Sequence, residues 1–377
     1  MELFMDYSYY MPVKVIFGEN CVKKYDFSVW GRRCVIITGK SGAKISGLLS
    51  DLEKTLKNQC IDFFIYDEAE QNPTVDTCYE AGALAAEFKA DFIIGAGGGS
   101  AMDAAKAAAV FAAEPSMEMM SLFNVSNIKK TLPFILIGTT AGTGSEVTPY
   151  SILTVDIDGK PMKKSIKTPI IYAKAALCDA KYSMSMPWEL TANTALDAIC
   201  HAVESLFSVK AGKFETLYAV EAVKTGWESL IKAHWHTVIE KREVEYEQRE
   251  KLLYASILAG MAISGTGTCF PHAMGYKLTT MKNIHHGKAC AVFLGDFVRK
   301  MQGADDKRTS LLQKAVNEES LETFINGLNS MAGALPVLTK EEANDFASSI
   351  KDSPALSNSV VPINFDEVLK IYNRFVR

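Results

Sequence analysis

Long uninterrupted apolar runs are missing from this sequence. The longest apolar stretches, such as AAKAAAVFAA (104–113), fall well short of the ~18–20 residues that a membrane-spanning helix needs. Basic tracts interleaved with aromatic residues are missing too. A net charge of −4 and a pI near 6.0 give no footing for a nucleic-acid partner. The segment MELFMDYSYYMPVKVIF has no charged stretch leading into an apolar one, so no secretory leader is expected, and a cytoplasmic location is. Cysteine is present, but CxxC spacing is not. Cys21, Cys34, Cys60, Cys78, Cys178, Cys200, Cys269 and Cys290 are scattered, and read as reduced thiols they exclude a disulfide framework and a zinc knuckle. No internal repeat or low-complexity segment occurs, and the polar EKREVEYEQREK (240–251) reads as a solvated helix face.

What is present is an ordinary globular composition over 377 residues, 48% hydrophobic and 22% charged, a length that favours two domains. The first part alternates strands and helices. VKVIFG (13–18), RCVIITG (33–39), IDFFIYD (61–67), ADFIIGA (90–96), LPFILIG (132–138) and YSILTVDI (150–157) read as strands. Helical patterns at 46–59, 75–88 and 100–113 separate several of them. Apolar strands with helices between them make βαβ units and a mainly parallel sheet. After MPWELTA (186–192) helical patterns follow one another with short breaks. The expected division is an α/β domain at 1–184 and an all-α domain at 185–377.

Two glycine-rich loops stand out. FIIGAGGGSAMDAAK (92–106) is a strand, a glycine cluster and a helix start. Gly97, Gly98 and Gly99 let backbone amides approach an anion at a helix N-terminus, and Ser100 adds a hydroxyl. The same residues also serve as a plain strand-to-helix turn with Ser100 as its cap. The loop is not GxGxxG, and it falls after several strands instead of in the first βα unit, which argues against an ordinary Rossmann domain. GTTAGTGSEVT (138–148) repeats the theme with Thr139, Thr140, Thr143 and Ser145.

Histidine is scarce, with only six in the chain. His234 and His236 flank Trp235 and read as packing or surface residues. The others gather in two places. TALDAICHAVESLF (194–207) puts Asp197 and His201 one helical turn apart on one face of an apolar helix. FPHAMGYKLTTMKNIHHGKA (270–289) holds His272, His285 and His286. Imidazoles with one carboxylate suit a borderline divalent ion such as Fe(II) or Zn(II) better than calcium or magnesium. Glu204, one turn beyond His201, is a candidate outer partner of such a ligand set.

The motifs GAGGGSAMDAAK, GTTAGTGSEVT, TALDAICHAVE and HAMGYKLTTMKNIHHGKA, in that order, resemble the iron-containing (group III) alcohol dehydrogenases. In its HAxGYxLTT form the chain is most like the bacterial butanol- and 1,3-propanediol-type enzymes. The resemblance runs from MPVKVIFGEN to at least residue 298. It implies the fold shared with dehydroquinate synthase and glycerol dehydrogenase. It also implies a metal held by Asp197, His201, His272 and His286, the last two being fourteen residues apart as in the family. His285 becomes a neighbour. Some relatives carry a further histidine four residues after the third ligand; here Tyr276 stands there, so proton exit through water and cofactor hydroxyls is expected. The resemblance adds Asn72, Asp103 and Lys164 to the expected cofactor contacts.

The implied reaction is hydride exchange between a nicotinamide and a carbonyl carbon of a short-to-medium aliphatic alcohol or aldehyde, with the metal polarising the substrate oxygen. Fe(II) is the expected ion, with zinc or manganese as alternatives. After the second strand, VIITGKSGAK (35–44) offers Gly39, Lys40 and Ser41 and no local carboxylate. That favours NADP(H), with NAD(H) as the alternative. Other readings of the same fold are a glycerol dehydrogenase-like enzyme, a lactaldehyde or phosphonoacetaldehyde reductase, or a dehydroquinate synthase-like lyase. By analogy with relatives a homodimer is expected, with no nucleic-acid or membrane partner.

Overall fold

The computed structural model describes residues 8–157, 159–333 and 336–377. Packing divides them into two units. One is formed by Met11–Thr140 and Gly144–Met186; the other by residues 8–10, Ala141–Thr143 and Pro187–Arg377.

Apolar β-branched runs set the first unit. Strands β1 (Lys14–Phe17), β2 (Arg33–Ile37), β3 (Asp62–Tyr66), β4 (Phe92–Gly97), β5 (Phe134–Gly138) and, after a separate hairpin, β8 (Ala175–Cys178) form one parallel sheet. Its order is β1-β8-β5-β4-β2-β3. The interior strands β4, β5 and β8 are buried throughout, whereas the edge strand β3 alternates exposed and half-buried positions until Tyr66. This is the signature of a sheet covered on both faces only at its centre. Helix α1 (Leu48–Asn58) buries Leu48, Leu52 and Leu56 in one core with Ile36, Ile94 and Ile135. Helices α2 (Val75–Glu87) and α3 (Gly99–Ala113) pack on each other, and α3 also packs on β4. The alanines of α3 explain this closeness: side chains this small let the helix be buried almost all round.

YSILTVDI does form a strand, β6 (Tyr150–Ile157), but it does not join the parallel sheet. It pairs antiparallel with β7 (Lys160–Lys167) as a two-stranded ribbon, with Tyr150 opposite Lys167 and Leu153 opposite Lys164. The reason is its alternating burial, which leaves one face outward, where an interior parallel strand must be apolar on both.

The second unit is helical: α4 (Trp188–Leu206), α5 (Lys213–His234), α6 (Tyr246–Thr266), α7 (Phe270–Lys282), α8 (His286–Met301), α9 (Asp306–Val316), α10 (Leu321–Ala332), α11 (Lys340–Ser349) and α12 (Phe365–Asn373). Asp305, Ser320, Thr339 and Asn364 cap the starts of the last four with side-chain oxygens. No single helix among the described residues is long and apolar enough to cross a membrane.

Candidate metal centre and cofactor loops

Three helices of the second unit carry the ligand candidates. Asp197, His201 and Glu204 lie on α4, His272 on the first turn of α7, and His286 opens α8. Asn283, in the left-handed region at φ 53°, closes α7. Gly287 then lets α8 approach α4: a Cβ there would stand 1.8 Å from the Asn193 carbonyl oxygen and 2.9 Å from Asp197 Cβ. No other residue fits that contact, and it is what brings His286 to Asp197.

Around Asp197 Oδ1 stand His272 Nε2 at 3.4 Å, His286 Nε2 at 3.9 Å and His201 Nε2 at 4.0 Å. The rings of His201 and His272 stack with centroids 4.3 Å apart. Glu204 holds the far side of His272: one carboxylate oxygen contacts Nδ1, and the other accepts from the Cys269 amide at 2.5 Å. The hydroxyl of Thr279 lies 3.4 Å from His286 Nδ1, and Tyr276 stacks on the same ring at 5.5 Å. In both histidines the outer nitrogen is therefore engaged, which directs Nε2 inward. Burial pushes the Tyr276 phenol up to about 12, so it offers no base at neutral pH.

The buried atoms Asp197 Oδ1 and His272 Nε2 have no hydrogen-bond partner among the described residues. Buried polar atoms facing one another without hydrogen bonds are costly, and a divalent ion answers that need. Burial works against charge on Asp197, yet His201, His272 and His286 hold its carboxyl well below the usual range. Burial pushes His201 down to about 3, which keeps it a neutral imidazole with a free lone pair. The donor set fits a borderline divalent ion. His285 is exposed, while His234 packs against Trp188 with ring centroids 5.5 Å apart.

The loops of the first unit gather at the carboxyl ends of neighbouring strands. Gly97 of β4 pairs in register with Gly138 of β5, so both glycine-rich loops leave at one level. Gly97 sits at φ 151° and accepts from the Thr139 amide at 2.9 Å. Gly98 and Gly99 are only partly buried and no side chain caps the helix at Gly98, which leaves backbone donors at the start of α3. Asn72, in the left-handed region at φ 60°, donates its amide to Ser100 Oγ at 3.2 Å. Its side chain accepts from Lys163 Nζ at 2.6 Å.

The hairpin thus turns Lys163, and not Lys164, toward Asn72; Lys164 lies 5.4 Å over the Phe123 ring. Neighbours on a strand point to opposite faces, so the two lysines part company. Asp103 and Ser145 are engaged with each other. Ser145 donates to Asp103 Oδ1 at 2.7 Å and accepts from the buried Lys106 ammonium at 2.7 Å, and the Ile152 amide donates to Asp103 Oδ2 at 2.9 Å. Lys106 also donates to the Tyr150 carbonyl at 2.6 Å. This knot ties α3 to the second loop and the hairpin. Thr143 is half-buried and groups with the helical unit. Next to β2, Gly39 approaches the Ala69 carbonyl, and Lys40 pairs with Glu68 at 3.1 Å. A carboxylate therefore does stand at this position, supplied by the following βα connection and absent from the local stretch 35–44. Lys163, Lys106 and Cys290 were not singled out from the sequence. Cys290 Sγ lies 3.8 Å from His286 Nε2.

Residues 12–180 match the family model described as iron-containing alcohol dehydrogenase, and residues 191–368 match the C-terminal model of the Fe-containing alcohol dehydrogenase family. The NADPH-dependent butanol dehydrogenase of Clostridium saccharobutylicum is 28% identical, over 84% of this chain and 81% of its own length. The crystal structure of an iron-containing alcohol dehydrogenase from Thermotoga maritima superposes with a TM-score of 0.87 at 36% identity, covering 98% of this chain and 99% of that one. Sulfoacetaldehyde reductase from Bifidobacterium kashiwanohense, solved in complex with NAD+, superposes with a TM-score of 0.86 at 26% identity over 99% of both chains.

Proposed function

This chain belongs to the iron-containing alcohol dehydrogenase family, and from that premise we propose that it interconverts short-to-medium aliphatic alcohols and aldehydes with NADP(H) as hydride partner. The observation that carries the reading is the convergence of Asp197 Oδ1 and His272 Nε2, buried and without hydrogen bonds among the described residues. Asp197, His201, His272 and His286 would hold the ion. Fe(II) is the proposed one, with zinc or manganese as alternatives. A divalent ion so held supplies Lewis acidity to the substrate oxygen.

The chain's own groups do the rest of the positioning. Glu204 and Thr279 orient His272 and His286. Tyr276 covers His286 and, as a neutral phenol, leaves proton exit to water and cofactor hydroxyls. Gly97, Gly98, Gly99 and Ser100 present backbone donors to a pyrophosphate at the start of α3, and Thr139 and Thr140 border them. Asn72, steadied by Lys163, lies beside Ser100. At the ribose end, the Lys40 and Glu68 side chains are 77% and 58% exposed, so their pairing is weak. Lys40 is free to turn to a 2′-phosphate, which is the basis for proposing NADP(H) over NAD(H).

A cytoplasmic homodimer is part of the same reading. The edge strand β1 keeps Phe17 38% exposed, a surface a second copy would cover. Light scattering on the purified protein, expected to give twice the chain mass, tests it. The catalytic reading is tested by following NADPH oxidation across a series of aliphatic aldehydes, with and without a chelator. Aldehyde-dependent, chelator-sensitive turnover is expected; its absence across the series overturns the assignment.

A further inference from the structure

We propose that Cys290 is an additional metal ligand, giving this centre a thiolate sulfur beside its carboxylate and imidazoles. The proposal rests on the metal reading above and goes beyond it in the identity of the donors. Cys290 lies one helical turn after His286 on α8, so both side chains leave the same face. It is fully buried, and its Sγ stands 3.8 Å from Nε2 and 3.9 Å from Nδ1 of His286. One ligand atom each from Asp197, His272, His286 and Cys290 lies within 4.8 Å of the others. These are distances that a single ion can span.

A buried cysteine is ordinarily a small apolar filler. Two observations set this one apart. Its sulfur faces polar neighbours that are themselves incompletely satisfied: Asp197 Oδ1 and His272 Nε2, in side chains 5% and 2% exposed, have no hydrogen-bond partner among the described residues. Its position is also fixed by a close helix contact. Gly275 on α7 leaves only enough room for α8 to pass, since a Cβ there would lie 3.0 Å from both Cys290 Sγ and the Ala289 carbonyl oxygen. A larger residue at 275 would drive the sulfur away from the ligand cluster.

The chemistry follows from the donor set. Thiolate is the ligating form, so the thiol proton leaves to solvent as the ion enters. A mixed oxygen, nitrogen and sulfur sphere selects zinc, iron or cobalt over manganese and magnesium, which prefer oxygen. Cys290 thus acts on which ion the protein keeps, and no redox step is required of it.

The test is cobalt substitution of the full-length protein. Metal-free protein is titrated anaerobically with Co(II) while bound cobalt and the near-ultraviolet spectrum are followed. One cobalt per chain with a sulfur-to-cobalt charge-transfer band is expected, and the band is lost in Cys290→Ser while cobalt still binds. Bound cobalt without that band in the wild type, or a band unchanged in Cys290→Ser, overturns the proposal and leaves the metal reading standing. Failure to bind any cobalt or zinc overturns both. Zinc-edge X-ray absorption on the wild type needs no variant: a sulfur scatterer at about 2.3 Å supports the assignment, and a shell of nitrogen and oxygen alone contradicts it.

Discussion

His272 Nε2 and Asp197 Oδ1 stand 3.4 Å apart, both buried and neither hydrogen-bonded among the described residues. The arrangement has a cause on the far side of the ring. Glu204 occupies Nδ1, which turns Nε2 toward the carboxylate. A carboxylate oxygen and a ring nitrogen buried face to face are stable only around a positive charge, a proton or a metal ion. Replacing Glu204 by Gln puts an amide donor against either the Cys269 amide or the imidazole. Metal affinity is expected to fall about 10–100-fold, measured by competition with a chelator. An unchanged affinity would mean that Glu204 only packs.

Gly287 makes a sharper structural prediction. With a Cβ facing the Asn193 carbonyl at 1.8 Å, Gly287→Ala must push α8 off α4. A loss of about 1–3 kcal/mol or more in unfolding free energy is expected, together with loss of bound metal. Denaturant midpoints and metal content check both.

At the ribose end, Lys40→Ala removes the cation proposed to meet a 2′-phosphate. A hydrogen bond to a charged group contributes about 1.5–3 kcal/mol. The kcat/KM for NADPH should therefore drop about tenfold or more, with that for NADH little changed. Equal losses for both cofactors would place Lys40 elsewhere in the reaction, and a wild-type preference for NADH would remove the NADP(H) proposal.

Glu146, buried beside Ser145 in the second glycine-rich loop, gives a pH signature. Burial pushes Glu146 up to about 7 from the ordinary 4.5. A carboxyl whose folded value lies above its unfolded one contributes stability below the unfolded value. That contribution is lost as pH rises through the folded value. Between about pH 4.5 and 7 the wild type should lose on the order of 3 kcal/mol relative to Glu146→Gln, the difference corresponding to the shift from 4.5 to about 7. Urea unfolding of both proteins across that range measures it, and parallel profiles would refute it.

Much of this was legible in the sequence because the signals are local. Asp197 and His201 share a helix face at a spacing of four, and Glu204 extends the same stripe. Apolar runs such as CVII in β2 and FILIG in β5 announce buried parallel strands. What escaped depends on tertiary context. β7, KPMKKSIK, is too rich in lysine to read as a strand, and it is one only because β6 pairs with it. β8, with the core residues AALC, has no β-branched residue and is a strand only because β1 and β5 flank it. The choice of Lys163 over Lys164 at Asn72 follows from the register of that hairpin, which no local pattern reveals. Glu68 reaches Lys40 from the next βα connection, outside the local stretch 35–44. Cys290 had a usable signal, the four-residue spacing from His286 that also joined Asp197 to His201, but an apolar helix around a cysteine hides it.

Metal analysis coupled to turnover tests the central claim most directly. Protein purified anaerobically should hold one divalent ion per chain and oxidise NADPH in the presence of an aliphatic aldehyde. A chelator should abolish that activity and Fe(II) restore it, while His272→Ala should retain neither ion nor activity. Full turnover in metal-free protein, or normal metal content in His272→Ala, would contradict the account.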